Sequence, residues 1–156
     1  MTATRLALST DAAEIVHLGA LMYKAVGAKP TPTWALDSTT LVRERLGKDL
    51  IGVVIDAPEG GLACCGLVNI APRLPRPGAM SHHMGYVQWV STAPQHQNKG
   101  YARAVMLALL AETDKRGIEV VELHASPSGR HLYEQLGFFV KTDNIPMTMV
   151  RGRPRT

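Results

Sequence analysis

The sequence predicts an α/β (α+β) fold: one domain with a mixed, mostly antiparallel sheet of about six or seven strands and about four flanking helices. Two apolar stretches, 50–57 and 61–71, flank a Pro-Glu-Gly-Gly turn and are typical of an antiparallel hairpin. Between residues 85 and 125, a strand, a long helical stretch and a second strand follow one another, which implies parallel strands. The 156 residues are enough to bury one core, and the domain is expected to span 1–150.

The N-terminal third is predicted to contain one strand and two helices. Residues 4–9 alternate as a short strand does, and a helix with apolar residues at helical spacing follows until Gly27. Two prolines then predict an irregular connection, 27–37, which carries Trp34. A second helix is expected at 38–46.

The second half of the chain is predicted to continue with alternating strands and helices. Ser126 is expected to cap the shorter of the two helices, with Pro127 at its first position and Gly137 just past its end. Two short apolar stretches near the C-terminus are expected to be strands. The predicted elements are the strand 85–92, the helix 98–115, the strand 119–125, the short helix after Ser126, and the strands 138–142 and 146–150.

Composition is that of a globular protein. Hydrophobic residues make up 46 % and charged residues 19 % of the chain. No apolar run approaches the roughly 20 residues that a membrane-spanning helix needs. The N-terminal stretch carries Asp11 and Glu14 where a signal peptide would be apolar, so no membrane association and a cytoplasmic location are expected.

The charge of the chain is basic, at +4 with a pI near 9.3, which suits either a nucleic acid or a small polyanion. Zinc-finger, basic-zipper and RRM signatures are missing, and an aromatic fraction of 5 % offers few surfaces for stacking bases, so no nucleic-acid partner is predicted. Three arginines lie in 151–156, which we expect to be a basic, frayed tail. The adjacent Cys64 and Cys65 would point to opposite faces of a strand, so neither a disulfide nor a metal site is predicted.

The junction between the strand that ends at Thr92 and the helix that opens near Gly100 predicts an anion site. A helix N-terminus leaves N–H groups unpaired and carries positive partial charge. Gly100 would let the backbone approach a phosphate closely, while Lys99 and Arg103 add positive charge. The stretch lacks both the Walker A pattern and the GxGxxG pattern, which disfavours nucleoside triphosphates and NAD.

Two blocks of sequence around this junction resemble one known family. Gln97-Asn98-Lys99-Gly100-Tyr101-Ala102 is similar to the Q/R-x-x-G-x-G/A loop of the GNAT N-acetyltransferases, and ELHASPSGRHLYEQLGF is similar to their second block. The blocks cover about 85–139. The resemblance implies a GNAT-like fold with a splayed central pair of parallel strands, acetyl-CoA as cofactor, and acetyl transfer to a primary amine by direct attack in a ternary complex.

The resemblance also implies which residues bind the cofactor. Main-chain groups of the strand before the loop would hold the pantetheine arm, and an N–H there, that of Val90, would polarise the thioester carbonyl. Ser126 matches a position that usually holds an Asn touching the cofactor. The implied cofactor-binding residues are Val90, Ser91, Thr92, Gln97, Asn98, Lys99, Gly100, Tyr101, Ala102, Arg103 and Ser126.

Tyr133 matches the general acid of the family, which protonates the departing thiolate. Helical side chains lean toward the N-terminus of their helix, so the ring of Tyr133 should lie over Gly129, where no side chain obstructs it. The spacing by itself is equally compatible with half-buried packing beside Leu132 and Leu136.

Glu122 is the first candidate for the general base. By strand alternation it shares one face with His124, a candidate for contacting the acceptor, and such a pair is unusual on an internal parallel strand. A solvated strand end would explain the pair equally well. His82 and His83, a base acting through water, and an acceptor of lowered pKa are the alternatives.

The acceptor side carries fewer signals. Trp34 is a candidate for lining the acceptor pocket, although an isolated Trp more often packs in a core. The acceptor could be a small-molecule or a peptide amine, and proteins of this kind commonly form homodimers. A module that binds acetyl-CoA as a sensor, without transferring the acetyl group, is the alternative function.

Overall fold

The structure is a computed structural model that describes residues 3–152. Residues 153–156, which make up most of the predicted basic tail, lie outside this range. The chain forms two compact units, Met1–His124 and Ala125–Thr156.

The first unit is built on a five-stranded sheet in which every strand pairs with its neighbours in the chain. The first four strands are antiparallel, and the last two form the predicted parallel pair. The fold class, the hairpin and the parallel pair are confirmed, with five strands in the described residues instead of six or seven. The strands are β1 Arg5–Leu6, β2 Leu50–Asp56, β3 Leu62–Pro72, β4 His83–Thr92 and β5 Val121–Leu123.

Helices cover both faces of this sheet. They are α1 Ala12–Ala25, α2 Pro32–Arg45 and α3 Tyr101–Lys115. Alternate β3 residues point to opposite faces of the sheet. Cys65 and Leu67 join the core formed with α1 and α2, whereas Gly66 faces α3. In residues 3–152, no helix combines the length and apolarity that a bilayer crossing requires.

Helix α2 begins six residues earlier than the sequence analysis predicts, because the prolines do not disrupt it. Pro32 occupies the first helical position, where its missing N–H costs nothing. The hydroxyl of Thr31 accepts a hydrogen bond from the main-chain N–H of Trp34 at 3.1 Å and caps the helix. Trp34 therefore lies in the first turn of α2 and not in an irregular connection.

The two cysteines lie side by side on β3, and both thiols are free and buried. Cys65 contributes to the core under α1 and α2, while Cys64 accepts a hydrogen bond from the hydroxyl of Thr92 at 3.3 Å. Burial raises the pKa of both thiols.

The second unit contains one short helix, α4 Arg130–Gln135. It starts later than predicted, because Ser126 caps a turn and not the helix itself: its hydroxyl accepts from the main-chain N–H of Gly129 at 3.2 Å. The predicted strands 138–142 and 146–150 are wrong, since the described residues of this unit contain no strand. Two such short segments make at best a marginal ribbon, Pro146 donates no N–H, and Met147 is 93 % exposed.

Candidate functional site

Strand β4 carries a β-bulge in its second half. Gly66 of β3 lies opposite two β4 residues, Trp89 and Val90, where a regular ladder would place one. Trp89 has a φ of 54°, in the left-handed region that side chains seldom adopt. Bulges redirect side chains and interrupt main-chain pairing, and they are common beside functional sites.

The parallel pair of β4 and β5 ends just before this bulge. Only Gly85, Tyr86 and Val87 pair with β5, whereas β4 continues to Thr92. β5 ends at Leu123, so β4 continues beyond Val87 without a paired parallel neighbour. Val90 consequently has no register partner on either neighbouring strand.

The N-terminus of α3 has the features that the sequence predicts for an anion site. Gly100 is the N-cap residue with a φ of 78°, no side chain caps the helix, and its first turn carries no acidic residue. A Cβ added at Gly100 would meet nothing within 4 Å, so a ligand can approach the backbone there. Lys99 is exposed, as is Arg103, and neither forms an ion pair within residues 3–152.

The loop before α3 is held in place by contacts of a buried histidine, His96. The imidazole of His96, which is 5 % exposed, bonds through Nε2 to Glu59 Oε1 at 2.5 Å and stacks on Tyr101 with ring centroids 6.2 Å apart. This hydrogen bond lowers the pKa of Glu59. The sequence analysis missed His96, because a histidine in a polar loop carries no local signal of burial.

Side chains at the end of β4 are engaged within the protein. The hydroxyl of Ser91 donates to the main-chain oxygen of Leu18 at 2.8 Å, and Thr92 donates to Cys64. The side-chain amide of Gln97 donates to the main-chain oxygen of Thr92 at 3.4 Å. These side chains at the end of β4 and in the loop therefore already have partners within the protein.

Polar side chains from β4 and β5 share the sheet face that α1 and α2 cover. Glu122 lies in register with Tyr86, whose hydroxyl is 2.9 Å from Nδ1 of His124. Burial raises the pKa of Tyr86, and the nearby Tyr23 phenol and Glu122 carboxylate raise it further. The hydroxyl of Tyr86 and Nδ1 of His124 thus share a hydrogen bond whose direction depends on the histidine tautomer. Glu122 is exposed.

A pocket of about 220 Å³ opens on the same face, between α2 and the sheet. Aliphatic and aromatic side chains form most of its wall, together with four polar residues. Its lining residues are Tyr23, Ser38, Leu41, Val42, Arg45, Leu50, Leu67, Asn69, Gln88 and Trp89.

Three aromatic rings pack together at one side of this pocket. Trp89 Nε1 donates to the hydroxyl of Tyr23 at 3.3 Å, and the ring of Trp34 lies 5.8 Å from each of these two rings. Trp34 thus packs against two lining residues without lining the pocket itself. Trp89 reaches the pocket through the bulge, which the sequence pattern does not reveal.

Polar residues at the other wall are linked in series. Arg45 Nη2 donates to Asn69 Oδ1 at 2.8 Å, and Asn69 Nδ2 donates to Gln88 Oε1 at 2.5 Å. The sequence analysis missed all three, because they come from α2, β3 and β4 and meet only in the folded chain.

The second unit holds two predicted site residues. A Cβ on Gly129 would lie 3.1 Å from Cε2 of Tyr133, so the ring lies over the bare glycine as predicted. Tyr133 also packs edge-on against Phe138, with centroids 6.0 Å apart. Ser126 binds its own turn, and its hydroxyl is 3.3 Å from that of Ser128.

Fold and site together define a class of protein. It is a mixed α/β domain in which a bulged strand runs on past the end of its parallel neighbour, and a short loop leads from it to an uncapped helix N-terminus with two cations that are unpaired within residues 3–152. Such a site suits a ligand that combines a phosphate group with a long arm bound by main-chain groups.

Comparison with known proteins gives the family. A sequence profile of the acetyltransferase (GNAT) domain matches residues 8–140. The chain therefore belongs to the GNAT acetyltransferase family, as its two sequence blocks predict. Comparison with curated protein sequences gives no significant match.

Solved structures share the fold over nearly the whole chain. A predicted acetyltransferase from Clostridium acetobutylicum, crystallised with acetyl-CoA, has a TM-score of 0.82 at 19 % identity and covers 95 % of this chain and 96 % of its own. Glucosamine-6-phosphate N-acetyltransferase from Arabidopsis thaliana has a TM-score of 0.71 at 20 % identity, covering 97 % and 99 %. Ribosomal-protein-alanine N-acetyltransferase from Brucella melitensis biovar Abortus 2308 has a TM-score of 0.72 at 21 % identity, covering 97 % and 100 %.

These findings establish acetyl-CoA as the cofactor and acetyl transfer as the general activity of the fold. The residues present fit that cofactor, since Gly100 leaves open space beside free helix N–H groups and two unpaired cations. The similar structures act on different acceptors by their names, so the shared fold does not select one.

Proposed function

We propose that the protein is an N-acetyltransferase that moves the acetyl group of acetyl-CoA to a primary amine by direct attack in a ternary complex. The observation that carries this proposal is the uncapped N-terminus of α3, with Gly100 at its cap, which follows a bulged strand that runs on past the end of β5. Acetyl-CoA supplies an activated thioester. The residues of this chain bind acetyl-CoA, take a proton from the acceptor amine and give a proton to the departing thiolate.

Binding rests on the segment 90–103. The free N–H groups at the start of α3, with Lys99 and Arg103, hold the pyrophosphate. Main-chain groups of Val90, Ser91 and Thr92 hold the pantetheine arm. The N–H of Val90 donates to the thioester carbonyl and stabilises the negative charge that develops on its oxygen.

Proton transfer falls to two residues. Glu122 takes a proton from the acceptor ammonium, directly or through water, so that the neutral amine can form the new C–N bond. Tyr133 gives its proton to the sulfur as the C–S bond breaks, a role that follows from its place in the second sequence block. Ser126 contributes a cofactor contact in the same block.

The test of Tyr133 measures coenzyme A release with a panel of amines. We expect Tyr133→Phe to lower kcat by about 100-fold or more, while acetyl-CoA binding stays unchanged, because only proton donation is removed. Glu134→Gln, one residue along α4, serves as the matched control and should keep full activity. Acetyl-CoA binding without turnover of any amine would contradict the proposal and indicate a sensor module.

The test of Glu122 uses the pH profile. Glu122→Gln should lose most activity near neutral pH and regain it at high pH, because an amine that has lost its proton needs no base. Asp114→Asn, on α3 across the sheet, should keep the wild-type profile. A parallel loss at every pH would show that Glu122 does not act as the base.

A further inference from the structure

In the hydrogen-bonded series Arg45–Asn69–Gln88, the chemistry of each group fixes which atom donates and which accepts. A guanidinium has N–H donors and no acceptor, so the Asn69 atom that faces Arg45 must be the oxygen. The amide nitrogen of Asn69 then faces Gln88 and requires an oxygen there. Gln88 is left with its NH₂ group free, and this group donates to no residue within 3–152.

The free polar groups of the pocket wall are therefore donors. Asp49 binds the Nε edge of Arg45 at 3.0 Å and fixes the plane of the guanidinium, but Asp49 does not line the pocket. Nη1 of Arg45, the second N–H of Asn69 and the NH₂ of Gln88 are left without acceptors among the described residues. No carboxylate lines the pocket to compete for them.

The carboxylate of Glu122, our proposed proton acceptor, lies on the same sheet face as Gln88. Gln88 and Tyr86 are alternate residues of β4, about 7 Å apart along the strand, and Tyr86 is in register with Glu122. A compact molecule can therefore place one group against the donors of Gln88 while another reaches Glu122. The rings of Tyr23 and Trp89 line the pocket beside these groups.

We infer that the acceptor is a small amino acid or a similar compound, whose carboxylate binds the donors of Arg45, Asn69 and Gln88 while its amine faces Glu122. Charge-assisted hydrogen bonds from an amide and a guanidinium recognise a carboxylate in this way. The pocket, at about 220 Å³, is below the roughly 300 Å³ of drug-sized sites, which favours a compact acceptor over a long one. This inference rests on the proposed amine acetylation.

The experiment compares matched acceptors. Apolar amino acids, their carboxamides and the corresponding amines without the carboxyl group are assayed for coenzyme A release. The carboxylate form should have a kcat/KM roughly 10- to 100-fold higher, since hydrogen bonds to a charged group are worth about 1.5–3 kcal/mol. Equal values for the three forms would overturn the inference and leave the proposed function intact.

The variant Gln88→Glu tests whether the pocket recognises the carboxylate of the acceptor. Gln88→Glu keeps an oxygen facing Asn69 but replaces the free NH₂ with an anionic oxygen, on an exposed side chain where folding is not at risk. It should abolish the preference for the carboxylate and raise the relative rate with the plain amine. Arg43→Gln, exposed on the same helix as Arg45, is the control and should leave the preference unchanged.

The failures can be told apart. If Gln88→Glu lowers turnover of all three forms equally, the pocket does not read the carboxylate and the inference is wrong. If no amine is turned over although acetyl-CoA binds, the proposed function itself fails. Thermal unfolding with acetyl-CoA distinguishes both outcomes from a misfolded variant.

Discussion

Gly100 shows how one residue prepares the anion site. Its φ of 78° suits glycine, and a Cβ there would meet only open space. Any other residue would add both backbone strain and a Cβ on the surface where we propose that the pyrophosphate binds. These two effects can be separated, because Gly117 ends the same helix with a φ of 68° and equally open surroundings.

We predict that Gly100→Ala and Gly117→Ala each lower stability by about 1–2 kcal/mol, from left-handed strain. Only Gly100→Ala should weaken acetyl-CoA binding, by about ten-fold or more, which is about 1.4 kcal/mol. Gly117 lies about 22 Å away along the 15 residues of α3 and meets no ligand. Denaturant titration and calorimetric binding measure the two effects, and equal losses of affinity would contradict a phosphate role for Gly100.

At the scale of elements, the contact between β3 and α3 positions the helix whose N-terminus forms the site. Gly66 lets α3 approach the sheet: a Cβ there would lie 2.7 Å from Cγ1 of Val105 and 2.9 Å from Cδ1 of Leu109. Both α3 residues are fully buried. The same glycine lies opposite the bulge in β4, so helix placement and bulge depend on one position.

Gly66→Ala should therefore destabilise the protein by about 1–3 kcal/mol, because the core is overpacked. Adding Val105→Ala removes the nearest obstructing atoms. We expect the double variant to be less destabilised than the sum of the single changes, by about 0.5 kcal/mol or more. Urea unfolding of the four proteins checks this, and strict additivity would show that the contact does not limit the packing.

On the scale of the whole molecule, Arg5 joins distant parts of the first unit. From β1 it donates to Asp11, just before α1, at 2.8 Å, and to Asp56, at the end of β2, at 2.9 Å. These hydrogen bonds lower the pKa of both carboxyl groups and raise the pKa of Arg5. The network closes the N-terminal segment onto the sheet.

Lowering the pH should protonate Asp11 and Asp56 and weaken their hydrogen bonds with Arg5. Because the pKa of Asp11 and of Asp56 is lower folded than unfolded, their contribution to stability is present above about pH 4 and is lost as the pH falls through the folded values. Asp11→Asn should lower the free energy of unfolding by up to about 1 kcal/mol near pH 7, since the groups are partly exposed. Once the pH falls below the lowered pKa values of the folded state, the difference from wild type should vanish.

Thermal unfolding between neutral and acidic pH measures this difference. Asp37→Asn, an exposed residue of α2 with no ion pair among residues 3–152, provides the control and should follow wild type at every pH. A gap for Asp11→Asn that persists at low pH would mean that the carboxylate charge is not the cause.

Much of the fold followed from local patterns. The hairpin of β2 and β3, the parallel pair and the predicted anion site at Gly100 are each signalled within about 40 consecutive residues. The errors lie where local rules are incomplete. Pro32 looks like a helix breaker although the first turn of α2 accepts it, and Ser126 caps a turn and not α4. The apolar residues of 138–142 and 146–150 have no partner strand in the described part of their unit.

The sequence by itself predicted the family and the cofactor, which the comparisons confirm. It also predicts the cofactor segment 90–103, because a phosphate site is made by consecutive main-chain groups and needs only a glycine at the right place. Only the tertiary structure shows the pocket that we propose for the acceptor. Arg45, Asn69 and Gln88 come from three separate elements and are brought within hydrogen-bond distance only when α2 packs on the sheet. Side-chain recognition depends on long-range packing, which no local spacing encodes.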